Sequence, residues 1–491
     1  MKRVVVPGRD LPPTRPRGRP DDGAYSPPIA TDTRDPNDGA GIIARLDRLP
    51  ATRGVWTIVG LLSLAFFFEL YDMLLSAYIA PGLVRSGLFT TTTAGAFGMT
   101  GIAAFIAALF AGLTVGTLVA GALNDRFGRR AIFTWALLGY TAASVSMAFQ
   151  HSATAISLHR FAAGIGLGIE MVTIDTYICE FVPRSLRGSA NALCQTIGFC
   201  AVPIVAGLSW LLVPIAPLGL DGWRWVVLIG ASSALAAWYI RLRLPESPRW
   251  LVQRGRLSEA RAIVERLERG SEQGQGMPLP IPAMIEPVAG AGRFAELFRP
   301  PYRSRTIMMV VFNIAQTIGY FGFTNWVPTL LIEHGITVTK SMAYTTIIAL
   351  AAPIGPMLGL VIGDRFERKW IIVSGAVTIV LAGGLFAVAT APLLLVLIGI
   401  VLTVAGNIIS FAYHAYQAEI FPTRIRAKAV GFVYSFSRVT AMLNAFAIAF
   451  LLRQGGVTGV FAFICAAYAV VIVVIGAFGP RTRNRALESI A

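Results

Sequence analysis

Ionisable side chains inside long apolar runs are where this sequence could do chemistry. Asp72 lies in FELYDMLL and Arg160 in SLHRFAAG, each within an apolar run long enough to cross a bilayer. A charge at mid-bilayer costs at least ~2.5 kcal/mol even on the most lenient scale, so its retention points to function. Counted from the outer ends of their runs, Asp72 is about eight residues deep and Arg160 about seven, or ~10–12 Å at the helical rise. Opposite charges at one level form an ion pair. Protonating the carboxylate would release the arginine and shift an equilibrium between two conformations. Glu69 shares the helical face of Asp72, so either carboxylate could carry the proton. A buried pair that only ties two helices together is the plainer reading.

Other polar groups sit in the same apolar setting. Glu170 and Asp175 project ~140° apart on one helix, Glu170 toward Tyr177 and Glu180, Asp175 toward Arg160 and Gly164. Each either lines a cavity or makes a hydrogen-bonded helix contact. Asn313, Gln316 and Tyr320 fall on one stripe, followed by Asn325 and Trp326, while Asn407 and His414 share a later run. Gln195 belongs to the first half, and Arg438, about ten residues past the cytoplasmic end of its run, is deep enough to meet an anionic substrate. No metal is expected, since His151, His159, His334 and His414 lack ligand spacing. Cys179, Cys194, Cys200 and Cys465 show no CxxC spacing. Gly164, Gly166 and Gly168 have no βαβ unit around them, so they read as close-packing residues rather than a nucleotide loop. No cofactor is expected, and no nucleophile–base set supports an enzyme.

These residues must be held by membrane helices. The chain has 491 residues, 55% hydrophobic and 14% charged, with mean hydropathy +0.65, whereas soluble proteins carry about 25% charged residues. Twelve spans are expected, near 55–80, 97–122, 131–150, 153–181, 189–213, 223–242, 304–331, 341–363, 370–390, 392–419, 428–451 and 456–479. The net charge of +16 comes largely from Arg between spans, which is the footprint of a cytoplasmic face and not of a nucleic-acid partner. Both termini are therefore expected inside. Residues 1–50 read as a disordered tail, 51–243 and 303–480 as two six-helix bundles, and 481–491 as a second tail. Residues 244–302 read as a linker with a helix over 257–269, too short for a core of its own.

Charged punctuation repeats between the halves. Asp125-Arg126-Phe127 recurs as Asp364-Arg365-Phe366, Glu180 as Glu419, Pro183 as Pro422 and Arg187 as Arg426, each 239 positions on. That register implies a duplicated six-helix unit with a pore between the copies. Asp125 beside Arg126, Arg129 and Arg130 can face a helix N-terminus and pair with arginine. The alternative is simple positive-inside punctuation.

GALNDRFGRR (121–130) resembles the signature loop of the major facilitator superfamily. RFAAGIGLG (160–168), the Glu-x6-Arg pairs 180/187 and 419/426, and PESPR (245–249) resemble its sugar-porter branch and the bacterial metabolite:proton symporters. The resemblance implies an all-α fold of twelve transmembrane helices in two pseudo-repeats, with Asp72 and Arg160 in the coupling positions of sugar:proton symporters. It further implies a gate latch of Asp125, Arg126, Arg129, Arg130, Glu180 and Arg187, continued by Asp364, Arg365, Glu419 and Arg426. The stripe at 313–320 resembles the hydroxyl-binding region of sugar porters, and Gln195 stands at their glutamine position. Two departures stand out. Glu367 replaces the second-half glycine of the signature, and the tryptophan pattern of the tenth span is missing.

The expectation is a monomeric secondary transporter in the inner membrane. It would move a sugar, sugar acid or other organic acid by alternating access with proton symport. A proton-independent facilitator or exporter shares the fold, and a transport-dead nutrient sensor is a more distant alternative.

Overall fold

The computed structural model describes residues 38–90, 101–183, 186–275, 279–282, 293–362, 365–422 and 425–482. The first half comprises α2 (Arg53–Arg85), α3 (Ile102–Phe127), α4 (Arg129–Ala148), α5 (Ala153–Phe181), α6 (Arg187–Phe199), α7 (Ala201–Leu212), α8 (Gly222–Gly230) and α9 (Ser233–Arg243). The second comprises α12 (Tyr302–Thr324), α13 (Val327–Glu333), α14 (Val338–Ala349), α15 (Ile354–Ile362), α16 (Arg368–Val388), α17 (Pro392–Glu419) and α18 (Arg426–Phe478). Among the described residues, 10 helices are long and apolar enough to cross a membrane. One of these, α18, breaks at Gly456 (φ 57°), so it supplies two spans. The short pair α8 and α9, meeting at Ala231–Ser232, supplies the remaining one. The all-α, twelve-span architecture is therefore present, built from more pieces than the hydropathy shows. Pro328 opens α13 at a break inside the expected span 304–331, and Pro353 stands at a second break ahead of α15, because proline cannot donate to the preceding turn.

Small residues set the closest helix contact. Gly112 and Gly116 on α3 face Gly164 and Gly168 on α5, so that a Cβ on any of them would collide with a backbone carbonyl opposite. Two small-x-x-x-small stripes thus bring the backbones together, the favoured geometry where apolar lipid supplies no drive for association. Gly166 faces the other way, onto Ala136 and Tyr140 of α4. Between the halves α3 packs on α18, α7 on α14 and α6 on α15, and Phe110 meets Phe321 edge-on at 4.8 Å.

The ends of the first half depart from expectation. Residues 39–47 are not part of a structureless tail. They form α1 (Gly39–Asp47), capped by the Asp38 side chain accepting from the Gly41 N–H at 2.7 Å; residues 1–37 lie outside the described set. The linker holds α10 (Pro248–Gln253) and α11 (Leu257–Gln275), the latter longer than expected. With α1 these helices do build a small core, of Ile42, Leu46, Leu49, Trp250, Leu251, Ala260 and Val264. The linker lacks enough apolar surface alone, and α1 completes it. Of the tail expected over 481–491, only Arg481 and Thr482 are described.

Candidate transport site

Asp72 on α2 and Arg160 on α5 meet in the buried interior of the first half. Arg160 Nη1 donates to Asp72 Oδ2 at 3.0 Å, Nε donates to Ser76 Oγ at 2.8 Å, and Nη2 donates to the Asp72 carbonyl. Ser144 on α4 donates to Asp72 Oδ1 at 3.2 Å, and the guanidinium lies 5.9 Å from the Phe105 ring centroid. Buried charges persist when paired and when their remaining hydrogen-bonding capacity is filled, and both conditions hold here.

The other acidic candidates divide in an order that the helical projection reverses. Glu170 does not turn toward Tyr177 and Glu180. It is fully buried on the face shared with Glu69, Asp72 and Tyr140, away from the cavity. Asp175 is solvent-accessible although deep in the bundle, within electrostatic reach of Arg438 and Glu69, so it faces a wet central space. The projection failed because a single-helix wheel does not know which neighbour each face meets.

Across that space stands a cluster from the second half. Arg438 Nη2 donates to Tyr434 Oη at 3.0 Å, its guanidinium sits 4.8 Å from the same ring centroid, and it reaches Met171 Sδ of the first half. Its buried Nε has no hydrogen-bond partner among the described residues. His414 Nδ1 is 2.6 Å from the Ser410 carbonyl, and its Nε2 is 3.2 Å from Tyr413 Oη.

A cavity between the halves is walled by Tyr78, Phe199, Tyr320, Phe323, Asn407 and Tyr468, among others. Tyr320 and Asn407 were legible as candidates. Tyr78, two residues past Ser76 on α2, and the aromatic Phe199 and Tyr468 were not, since aromatic residues in apolar runs give no separate signal. Tyr320 Oη donates to Asn407 Oδ1 at 3.1 Å, and Asn407 Nδ2 donates to the Ala352 carbonyl at 2.9 Å. Asn313 turns back to the Met309 carbonyl at 2.8 Å. Asn325 and Trp326 are buried at the break between α12 and α13 and do not line this cavity, nor does Gln316, which is buried on α12. Gln195 is half-buried on α6.

At the linker end the charge network is wired differently from its sequence spacing. Arg129 binds Glu180 at 2.9 Å and Asp125 at 3.1 Å. Arg368 binds Glu419 at 2.9 Å, so the repeat of 239 positions extends to a pair that the Glu-x6-Arg spacing hid. Arg187 and Arg426 instead donate to the carbonyls of Val182 (3.0 Å) and Phe421 (3.3 Å), again related by the repeat. Arg187 also lies 3.8 Å from Asp47 of α1. Arg126 is exposed over Phe127, and the Arg130 N–H donates to Glu246 at 3.2 Å. Arg365 is exposed, and Asp364 lies outside the described residues. The ion pairs described here each close within one half.

The signature glycine is explained in the same place. Gly128 adopts φ +92°, and a Cβ there would press on the Glu246 carboxylate, which caps α4 by accepting from the Arg129 N–H at 3.0 Å. Its counterpart Glu367 has φ −65° and needs no glycine. It accepts from the Thr482 N–H at 2.9 Å, fastening the chain beyond α18.

The family model described as sugar (and other) transporter matches residues 58–491. The chain belongs to that family. This transporter is 31% identical over 444 residues to the putative metabolite transport protein YyaJ of Bacillus subtilis, covering 90% of its own length and 96% of the relative's. It is 26% identical over 452 residues to the niacin transporter NiaP of Acinetobacter baylyi, covering 91% and 99%. Its fold matches the proton:xylose symporter XylE with TM-score 0.68 at 18% identity, covering 89% and 98%. It is a membrane transporter of small metabolites with the major facilitator fold, not an enzyme.

Proposed function

We propose that the transporter carries a small organic acid in symport with protons, by alternating access of its two halves across the bacterial inner membrane, with both described ends on the cytoplasmic side. The observation that carries this reading is the contrast between its two buried central arginines. Arg160 is saturated by Asp72 and Ser76, whereas Arg438 keeps an Nε with no partner among the described residues, within electrostatic reach of the accessible Asp175. A buried donor left without a partner costs about 1–3 kcal/mol, which a substrate carboxylate would recover. Tyr434 stacks on the guanidinium and holds it in place, and the aromatic wall suits a compact apolar body. A neutral sugar fits less well, because both amide atoms of Asn407 are engaged within the protein, and Asn313, which does not line the cavity, donates to the Met309 carbonyl. Similarity to a niacin transporter supports a carboxylic acid, and the fold shared with a proton:xylose symporter supports coupling.

Thermal-shift measurements on the purified protein with nicotinate, benzoate, D-glucuronate and D-xylose test this reading. A carboxylate should raise the melting temperature, since ligand at about 100 times its Kd contributes ~2.7 kcal/mol. Arg438→Gln should abolish that shift. A shift with xylose alone, retained in R438Q, overturns the organic-acid reading.

A further inference from the structure

Two acidic side chains of the first half are used by neither the Asp72–Arg160 pair nor the cavity wall. Glu69 on α2 is 1% exposed and Glu170 on α5 is 0% exposed, and all four of their carboxyl oxygens are buried without a hydrogen-bond partner among the described residues. Tyr140 on α4, 2% exposed, also buries a hydroxyl without a partner, and it is aimed into the same space as Glu170. An ionised carboxylate buried with neither a cation nor donors is too costly to keep, and in practice such a group takes up a proton.

The surrounding charges point the same way. Arg160 is neutralised by Asp72. Glu170 is faced by Glu69 and Asp72 from α2 and by the Tyr140 hydroxyl from α4, so its charged neighbours are acidic. Glu69 is nearer the central space, with Asp175 of α5 and Arg438 of α18 as its charged neighbours. The two carboxyls are thus ordered, with Glu69 on the cavity side and Glu170 behind it.

We propose that Glu170, working with Glu69, is a second proton-binding site of the transport cycle, occupied in this conformation and discharged through Glu69 into the central cavity. The proposal rests on the proton-symport reading above. In the discharge step Glu69 gives its proton to cavity water and becomes a carboxylate. Glu170 then passes its own proton to Glu69, directly or through the Tyr140 hydroxyl, which accepts one proton and donates another. One proton leaves, and the carboxyl pair is left with a single negative charge. Reloading reverses the order. Glu170 does not line the cavity, as a substrate ligand would.

Infrared difference spectroscopy of the full chain in lipid nanodiscs tests the assignment, with deuterium exchange identifying protonated-carboxyl C=O bands. At pH 7 the wild-type protein should show such bands, and Glu170→Gln and Glu69→Gln should each remove one carboxyl's share. Asp72→Asn should leave both shares. Tyr140→Phe should move the Glu170 band without abolishing it, and Glu170→Asp, a smaller perturbation should E170Q fold poorly, should shift it. Absence of any protonated band at pH 7, or a spectrum unchanged in E170Q, overturns the proposal. If both bands appear but vesicle uptake of nicotinate ignores an imposed pH gradient, the coupling reading falls, and the site's role in the cycle falls with it.

Discussion

The energetic unit of the coupling site is the pair rather than either residue. Asp72→Asn leaves the Arg160 guanidinium buried, with Ser76 and a backbone carbonyl but no counter-charge. Breaking one side of a buried pair costs about 3–5 kcal/mol, whereas replacing both charges by neutral polar groups of similar size costs far less. Asp72→Asn should therefore lower the melting temperature in detergent and abolish uptake driven by a pH gradient. The double variant Asp72→Asn/Arg160→Gln should melt above D72N alone while remaining uncoupled. A double variant that melts no higher than D72N would show that the two charges do not stabilise each other. The pair was legible in the sequence because charge is rare in apolar runs and both depths could be counted. The direction of Glu170 was not legible, because facing depends on which helix lies opposite, and sequence position says nothing of that.

Helices here are positioned by what they lack as much as by what they carry. The glycine stripe of α5 read correctly as a close-approach surface, but its partners Gly112 and Gly116 lay unnoticed in a run rich in alanine and glycine. At Gly112 even a methyl group would overlap the carbonyl of Phe161, while at Gly121 on the same helix a Cβ meets nothing within 4 Å. Gly112→Ala should destabilise the protein by about 1–3 kcal/mol through forced separation of α3 and α5. Gly121→Ala should be neutral or slightly stabilising, since alanine is the better helix former. Comparing the two melts isolates packing from propensity, and equal effects would remove the close contact as a determinant. The breaks ahead of α13 and α15 were harder to read, since proline in a membrane run either kinks a helix or divides it according to tertiary support.

At the level of the whole molecule, duplication makes much of the fold readable. Once 239 positions relate one half to the other, each anchor found in one copy names its counterpart, as with Arg129–Glu180 and Arg368–Glu419. The feature outside the repeat is the cap of α1, α10 and α11, and for that reason its helical N-terminus was missed. Asp47 of α1 accepts from Arg249 at 2.7 Å, and Trp250 Nε1 donates to the Asp125 carbonyl at 3.0 Å, so the cap is strapped to the signature loop. Its internal tie is Glu268, bound by Arg45 at 2.5 Å and Arg48 at 2.6 Å. Burial pushes the Glu268 carboxyl up, but the hydrogen bonds from Arg45 and Arg48 outweigh it and hold the group below its ordinary range. A depressed carboxyl contributes stability above its unfolded value of ~4.3, and that contribution is lost as pH falls through the lower folded value. Discounted for partial exposure, the tie is worth about 1 kcal/mol, roughly fivefold in a local opening equilibrium. Hydrogen exchange of the α1 amides at pH 7 should therefore be about fivefold faster in Glu268→Gln than in wild type. The ratio should shrink toward one as the pH is lowered below ~4, because protonated Glu268 in the wild type then resembles the glutamine. A ratio near one already at pH 7 would mean that the apolar cluster of Ile42, Leu46 and Trp250 holds α1 down without the charges.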